Sequence, residues 1–353
     1  MAARRGSAAA AVLVLALAAG VLVAVVLVGC GGGEDAAPAA AGYHLDPPDL
    51  ANELVHRGDA GVPVLCYHYF REDFAPGYLV KVLGSVLFGM PALGDREFWT
   101  TPRAEFARHL AWFRDTGTRV MTLDEVADLV EAGRPLPARA VVLTIDDADR
   151  SVYEIAWPLL QEYGVQAHLF VPTAQMGRHW SGLEICTREQ LSEMADSGAV
   201  LVESHTHALH HKIKTRGGYE PVFWHPDAVP PPAGREERDA LADRWRAAET
   251  ALAGEDPRWR LDGPLGPVAA DLVTSRLEVL AATGRAPRWL AWPYGFAGAG
   301  LDSLARTVGF RGTVSLRPRV FSAADTTLAT GRVTLTAKST MDQISGIWTP
   351  DSP

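Results

Sequence analysis

AVVLTIDDADR, residues 140–150, is the stretch from which the fold can be read. Six largely apolar residues run without polar alternation into two adjacent carboxylates, Asp146 and Asp147. A strand wetted on one face alternates apolar and polar residues. A strand covered on both faces does not, and that pattern belongs to parallel sheets flanked by helices. Working outward, the same rhythm recurs on both sides. Upstream, residues 64–67 form a short apolar run. TTPRAEFARHLAWFRDTG (100–117) then sets Phe106, Leu110 and Phe113 at helical spacing, with Thr101 as the expected N-cap and Pro102 in the first turn. Residues 120–121 read as a strand and 123–132 as a helix. Downstream, helices are expected at 151–163, 187–197, 235–253, 269–282 and 301–308, and strands at 165–171, 199–202, 289–292 and 312–316. The helix at 187 opens on the capping box Thr187-x-x-Gln190. Such alternation predicts an α/β chain, its mostly parallel strands covered by helices. The number of repeats favours a distorted (β/α) barrel over an open sheet. Residues 212–267 break the rhythm with HPDAVPPPAG and a charged helix, and read as an insertion over the site.

The 353 residues, 48% hydrophobic and 21% charged, have an ordinary globular composition able to bury a sizeable core. Net charge is −9 and no basic run stands out, so the electrostatic footprint of a nucleic-acid binder is missing. A neutral or cationic polymer approaches such a surface more easily. The N-terminus has Arg4 and Arg5 followed by an uncharged stretch over residues 8–28, the order of an export signal. That stretch is also long enough to span a bilayer, which keeps an uncleaved anchor helix open. The sequence Leu27-Val28-Gly29-Cys30 resembles the bacterial lipobox. It favours a signal peptide over 1–29, a lipid on Cys30, a flexible tether over 30–59 and a folded domain over 60–353. The expected product is an extracytoplasmic, membrane-anchored lipoprotein. Cys66 lies in the apolar run VPVLCYHYF and reads as a buried thiol, and with Cys186 gives weak support for a disulfide.

Three expected strand ends carry chemistry. The first is Asp146-Asp147. Adjacent carboxylates on an extended backbone point different ways and can do different work, one holding a metal and one moving a proton. The second is ESHTHALHH, with four of the chain's eleven histidines between His205 and His211. The third is WLAWPYG, with a turn at Pro293-Tyr294-Gly295. A metal hydrolase needs protein ligands with an open coordination position, a base for the water and a donor for the oxyanion. Taken singly, these are a helix cap, a surface loop and a packed turn. Together, each after a strand, they form a coherent set.

Over roughly residues 60–345 the chain resembles the polysaccharide deacetylases of carbohydrate esterase family 4. VLCYHYF resembles the family's first strand, TIDDA its Thr-Phe-Asp-Asp-Gly motif, SHTHALHH its His-Ser/Thr motif and AWPYG its Arg-x-Pro-Tyr motif; AHLFVPT fits as well. The resemblance implies a metal-dependent hydrolase that removes N-acetyl groups from a polysaccharide. It implies Asp146 as general base, Asp147, His205 and His210 as ligands of a divalent metal such as zinc, and the Tyr294 backbone N–H as oxyanion donor. Trp292 and Pro293 would contact substrate. The five-residue step from His205 to His210 resembles the branch acting on poly-β-1,6-N-acetylglucosamine; His207 with His211 is the alternative pair. Peptidoglycan N-deacetylation and polysaccharide O-deacetylation remain alternatives. A non-catalytic sugar binder fits less well with the set intact. Trp180, Trp224, Trp259 and Trp292 are candidates for stacking on sugars.

The departures are specific. Ala148 replaces a Gly, which suits only a backbone that is not left-handed. Ala291 stands where many members carry an Arg that orients the base. No histidine lies beyond His225, where the family's acid would be. Protonation of the leaving group would then fall to His207, to Asp146 or to water at the metal, and turnover should be slow.

Overall fold

The computed structural model describes residues 61–73, 95–230, 235–248, 252, 261, 264–337, 339 and 341–346. The export segment, Cys30, the tether and Trp259 lie outside the described residues, as does part of the expected insertion. No helix among the described residues is long and apolar enough to cross a membrane.

Eight strands form the main sheet: β1 (Val64–Tyr67), β2 (Arg119–Met121), β3 (Ala140–Ile145), β4 (Ala167–Val171), β5 (Val200–Ser204), β6 (Trp289–Ala291), β7 (Gly312–Val314) and β8 (Val333–Thr334). Their order is β7-β6-β5-β4-β3-β1-β8, with β2 paired to the first half of β3. Every pairing among them is parallel. All residues of β1, β3 and β4 are buried, as the unbroken apolar runs require. Each buried Val, Leu or Ile there contributes about 1.5–3 kcal/mol over exposure.

The sheet curls until its edges meet through one segment. Thr330 bridges Val314 in parallel, and β8 then pairs with β1. Barrel closure was legible as a tendency, but its last strand, two residues long, was not. Gly331 must be glycine: a Cβ there would lie 2.2 Å from Arg319 Cγ and 2.7 Å from the Arg317 carbonyl.

The covering helices are α1 (Arg103–Asp115), α2 (Leu123–Glu131), α3 (Trp157–Tyr163), α4 (Arg188–Asp196), α5 (Arg235–Ala247), α6 (Gly266–Thr283) and α7 (Ala299–Thr307). Thr187 and Gln190 close the expected capping box on α4, and Thr122 with Glu125 form another on α2. Thr101 does not cap α1. Thr100–Pro102 pairs with Tyr69–Arg71 as a strand, so Pro102 takes the N-cap position without a side-chain cap. The helix expected from residue 151 opens as a π-helical turn over Val152–Ala156. Pro158 has no N–H and its ring crowds the carbonyl four residues earlier, which widens that turn. Both Cys66 and Cys186 are buried free thiols.

β5 runs past its expected end because Glu203 and Ser204 are buried and bonded. Glu203 accepts from the Arg288 and Trp289 N–H groups at 2.7 and 2.8 Å. Its other oxygen meets His168 Nδ1 at 3.2 Å. His168 Nε2 accepts from Leu123 N–H at 2.9 Å, so the proton sits on Nδ1 and is given to Glu203. One carboxylate thereby ties β5, β4, β6 and the start of α2. Glu203→Ala should strand the buried His168 imidazole and Trp289 N–H, together with the half-buried Arg288 N–H, and cost about 3 kcal/mol or more. A chemical-denaturation midpoint equal to that of the parent would contradict this.

Candidate active site

At the C-terminal ends of the parallel strands the chain leaves the sheet by left-handed turns. Asp147 has φ 69°, Ala148 54°, Thr206 69° and Tyr294 62°. The expectation that residue 148 avoids that region is therefore corrected. Ala148 occupies it, fully buried, at a cost of about 1–2 kcal/mol. Its carbonyl accepts from Cys186 N–H at 2.9 Å, which fixes the turn.

That turn sends the two carboxylates apart. Asp146 reaches into the barrel and accepts a two-pronged bond from Arg332, 2.7 Å to Oδ1 and 2.8 Å to Oδ2. Arg332 is fully buried. It also donates to the Ser315 carbonyl and Thr144 Oγ1, and lies 5.5 Å from the Phe170 ring centroid. Burial alone would push the Asp146 carboxyl up; the Arg332 charge, then His205, outweigh it and hold the acid below the ordinary carboxylate range. The Arg missing at position 291 is thus matched by Arg332, on the closing segment 186 residues beyond Asp146. The sequence carries no spacing signal for such a pairing.

Asp147 turns outward. Its Oδ2 accepts from the Tyr69 hydroxyl at 2.6 Å. Its Oδ1 is buried with no hydrogen-bond donor among the described residues, facing His205 Nε2 at 3.6 Å and His210 Nε2 at 3.3 Å. His205 Nδ1 donates to the Ala291 carbonyl at 2.6 Å, which leaves the Nε2 lone pair free. Burial holds this imidazole neutral, its pKa down at about 4. The three ligand atoms lie within 4.8 Å of one another. An orphaned carboxylate oxygen and two imidazole nitrogens turned inward fit a divalent cation with coordination positions to spare.

The loop that brings the histidines together is held at several points. Ser204 Oγ accepts from Thr206 N–H, and the Thr206 and His207 carbonyls accept from Thr173 and Ala174 N–H. The buried Asp271 carboxylate on α6 accepts from His207 N–H at 2.8 Å and Ala208 N–H at 2.7 Å. His207 Nδ1 shares a hydrogen bond with Thr173 Oγ1, and His211 Nδ1 donates to the Ala208 carbonyl. Neither joins the cluster. His210 instead packs between Trp180 and Tyr294, ring centroids 4.7 and 4.9 Å away.

Tyr294 N–H has no partner among the described residues. Trp292 is buried, donates to Asp302 and packs on Phe223 at 5.1 Å, so it forms the wall behind the Pro293–Gly295 turn. His68 is a site residue the sequence reading missed. Its ring lies within 4.8 Å of Asp146, with Nδ1 buried and without a hydrogen-bond partner among the described residues. Burial pushes its pKa below the usual imidazole value. In an apolar run it reads as core, and only the curl of β1 against β3 exposes its role.

A parallel-stranded (β/α) barrel with an Asp-His-His cluster and a separate buried acid at its strand ends defines a class of metal-assisted hydrolase. The chain belongs to the polysaccharide deacetylase family, whose pattern it matches over residues 133–313, more than half its length. It is 29% identical over 176 residues to the poly-beta-1,6-N-acetyl-D-glucosamine N-deacetylase of Staphylococcus aureus (strain N315), covering 49% of this chain and 58% of that one. Over 107 residues it is 34% identical to the protein of the same name from Staphylococcus epidermidis, covering 30% of this chain and 37% of that one. The matched part thus spans 58% of the first of these relatives and 37% of the second. Among solved structures it is similar to IcaB from Ammonifex degensii, with TM-score 0.58 and 28% identity over 83% of this chain and 97% of that one.

The guanidinium of Arg332 makes a distinct expectation for pH. Without its two-pronged geometry, the Asp146 carboxyl should titrate at higher pH. Arg332→Lys should then lower kcat/KM by about tenfold to a hundredfold and move the acid limb of the pH–rate profile upward. An unchanged acid limb would show that Arg332 does not set the state of this carboxylate.

Proposed function

We propose that the chain removes N-acetyl groups from an extracellular polysaccharide, with poly-β-1,6-N-acetylglucosamine as preferred substrate and zinc as the metal. The observation that carries this reading is the division between adjacent acids: Asp147 faces two imidazoles, while Asp146 is ionised, cation-paired and outside that cluster. A divalent cation on Asp147, His205 and His210 would polarise both a water and the acetamide carbonyl. Asp146 takes the proton of the attacking water. The free N–H of Tyr294 holds the charge that develops on the carbonyl oxygen. His68 is neutral in the resting site, and the negative charge of the tetrahedral adduct favours its protonated form. It takes over the proton that Asp146 removed from the water, 4.8 Å away or less, and delivers it to the departing sugar amine, which regenerates the Asp146 carboxylate. The names of the curated relatives support the β-1,6-linked substrate, as does the His205–His210 spacing.

Acetate release under matched metal tests the substrate. A β-1,6-linked N-acetylglucosamine oligomer should outperform chitin oligomers and acetylated xylan. Fast turnover of acetylxylan with none on the β-1,6 oligomer would assign the site to O-deacetylation instead.

Metal content separates the two acids. Asp147→Ala and His205→Ala should lose bound metal and activity together. Asp146→Asn should keep the metal and lose turnover by at least about a hundredfold. Stoichiometric metal in both ligand variants would overturn the assignment.

His68 is tested through the leaving group. An aryl acetate departs without a proton, whereas a sugar amine needs one. His68→Gln should therefore lose about 10²–10³-fold on the acetamide and far less on the aryl ester. Equal losses on both would remove it as the acid.

We infer further that Cys30 carries a lipid that tethers the chain outside the cytoplasm, on the strength of Leu27-Val28-Gly29-Cys30. Mass spectrometry of the mature N-terminus should find a modified Cys30; an intact Met1 would support an anchor helix.

A further inference from the structure

Beside the Pro293–Gly295 turn lies a cavity of about 370 Å³, between the C-terminal ends of β6 and β7, the start of α7 and residues 326–329. Phe296, Asp302, Ser315, Arg317 and Thr326 are among its lining residues. Asp302 is only 5% exposed. Its Oδ1 accepts from Trp292 Nε1 at 3.0 Å and Thr313 Oγ1 at 2.6 Å, while Oδ2 has no hydrogen-bond partner among the described residues. The Arg317 guanidinium, exposed at the same cavity, likewise has none. Phe296 is 40% exposed and Trp224 44%, the two exposed large apolar side chains among the described residues. Trp224 Nε1 donates to the Phe296 carbonyl at 3.3 Å, which ties them together.

A carboxylate and a guanidinium that line one cavity without pairing to each other select a particular chemistry. An anion would face Asp302, a cation would face Arg317, and an alkyl chain would leave both desolvated. A neutral ring with several hydroxyls can donate to the carboxylate and accept from the guanidinium, and can lay its C–H face on an aromatic ring. The position adds the second constraint. Phe296 follows two residues after Tyr294, whose ring is 4.9 Å from that of His210. We propose that this cavity is a distal subsite holding a second, neutral hexopyranose unit of the same polymer whose acetamide is at the His210 side of the turn. The proposal rests on the deacetylase reading above and deepens it: the enzyme grips its substrate one or more units away from the bond it cleaves.

The test uses the full chain with Phe296→Ala and, separately, Arg317→Ala, both at exposed side chains. kcat/KM is measured on the dimer and pentamer of β-1,6-linked N-acetylglucosamine. The preference for pentamer over dimer should fall about tenfold in each variant, carried by KM. A preference unchanged in both overturns the subsite. Binding is read separately with Asp146→Asn protein, titrated with the β-1,6 pentamer and with chitin pentamer. Adding Phe296→Ala should weaken pentamer binding about tenfold. If the parent releases no acetate from the β-1,6 oligomers, the substrate reading fails, yet Phe296-dependent binding of either pentamer upholds the subsite. Absence of binding, or binding indifferent to Phe296, overturns it.

Discussion

The buried ion pair between Asp146 and Arg332 is the interaction on which both the barrel and the chemistry depend. Two charges taken out of water are costly, and attraction offsets that cost only when geometry and further hydrogen bonds are good. Here both carboxylate oxygens are engaged, and the guanidinium also finds Thr144, the Ser315 carbonyl and the face of Phe170. The pair forms only when the segment that closes the barrel is in place, because Arg332 directly precedes β8. Gly331 lets that segment pass against Arg317 and Arg319. Closure of the sheet and ionisation of the proposed base are thus one event. A chain folded as an open sheet would leave Asp146 without its cation, and its carboxyl would drift upward under burial.

Strain collects at the same strand ends. Four of the non-glycine residues at positive φ are Asp147, Ala148, Thr206 and Tyr294, and each belongs to one of the three turns around the cluster. Such conformations persist when surrounding bonds over-determine them. Cys186 N–H holds the first turn through the Ala148 carbonyl, Ser204 and Thr173 hold the second, and Gly295 N–H to the Trp292 carbonyl closes the third. The result in each case is direction. Asp147 is swung away from Asp146, His205 turns toward Asp147, and Tyr294 presents an N–H with no partner among the described residues.

Much of this was legible in sequence, for an identifiable reason. Unbroken apolar strands, the capping box at Thr187 and the motif positions Asp146, Asp147, His205, His210 and Tyr294 are local patterns, and local patterns survive in a string of letters. What was lost depends on contacts distant in the chain. Thr101 has the residue type of a cap but is used by a strand pairing with residues 69–71. Arg332 lies in a short stretch, GRVTLTAKS, that carries no motif of its own. His68 looks like core because it is buried; its unpartnered nitrogen appears only once β1 is laid beside β3. Ala148 looked tolerable outside the left-handed region and is found inside it, because nothing in the letters reports φ.

The same ion pair also decides between two groups of ligand-type residues. Cys66, His68 and Asp146 lie within 4.8 Å of one another, as do Asp147, His205 and His210. By residue type alone the first group, with a thiol, an imidazole and a carboxylate, is at least as good a cation site as the second. But its carboxylate is already neutralised on both oxygens by a guanidinium, which would stand beside any incoming dication and repel it. Its thiol is pushed far up by burial, so forming the thiolate is costly. The second group has the opposite electrostatics: an ionised carboxylate with one oxygen unclaimed, and an imidazole already held neutral by burial and oriented by a backbone carbonyl. Arg332 therefore does more than orient a base. By claiming Asp146 it leaves Asp147 as the carboxylate open to a metal, and two neighbouring residues of one type are set apart for the proposed roles of acid–base group and ligand.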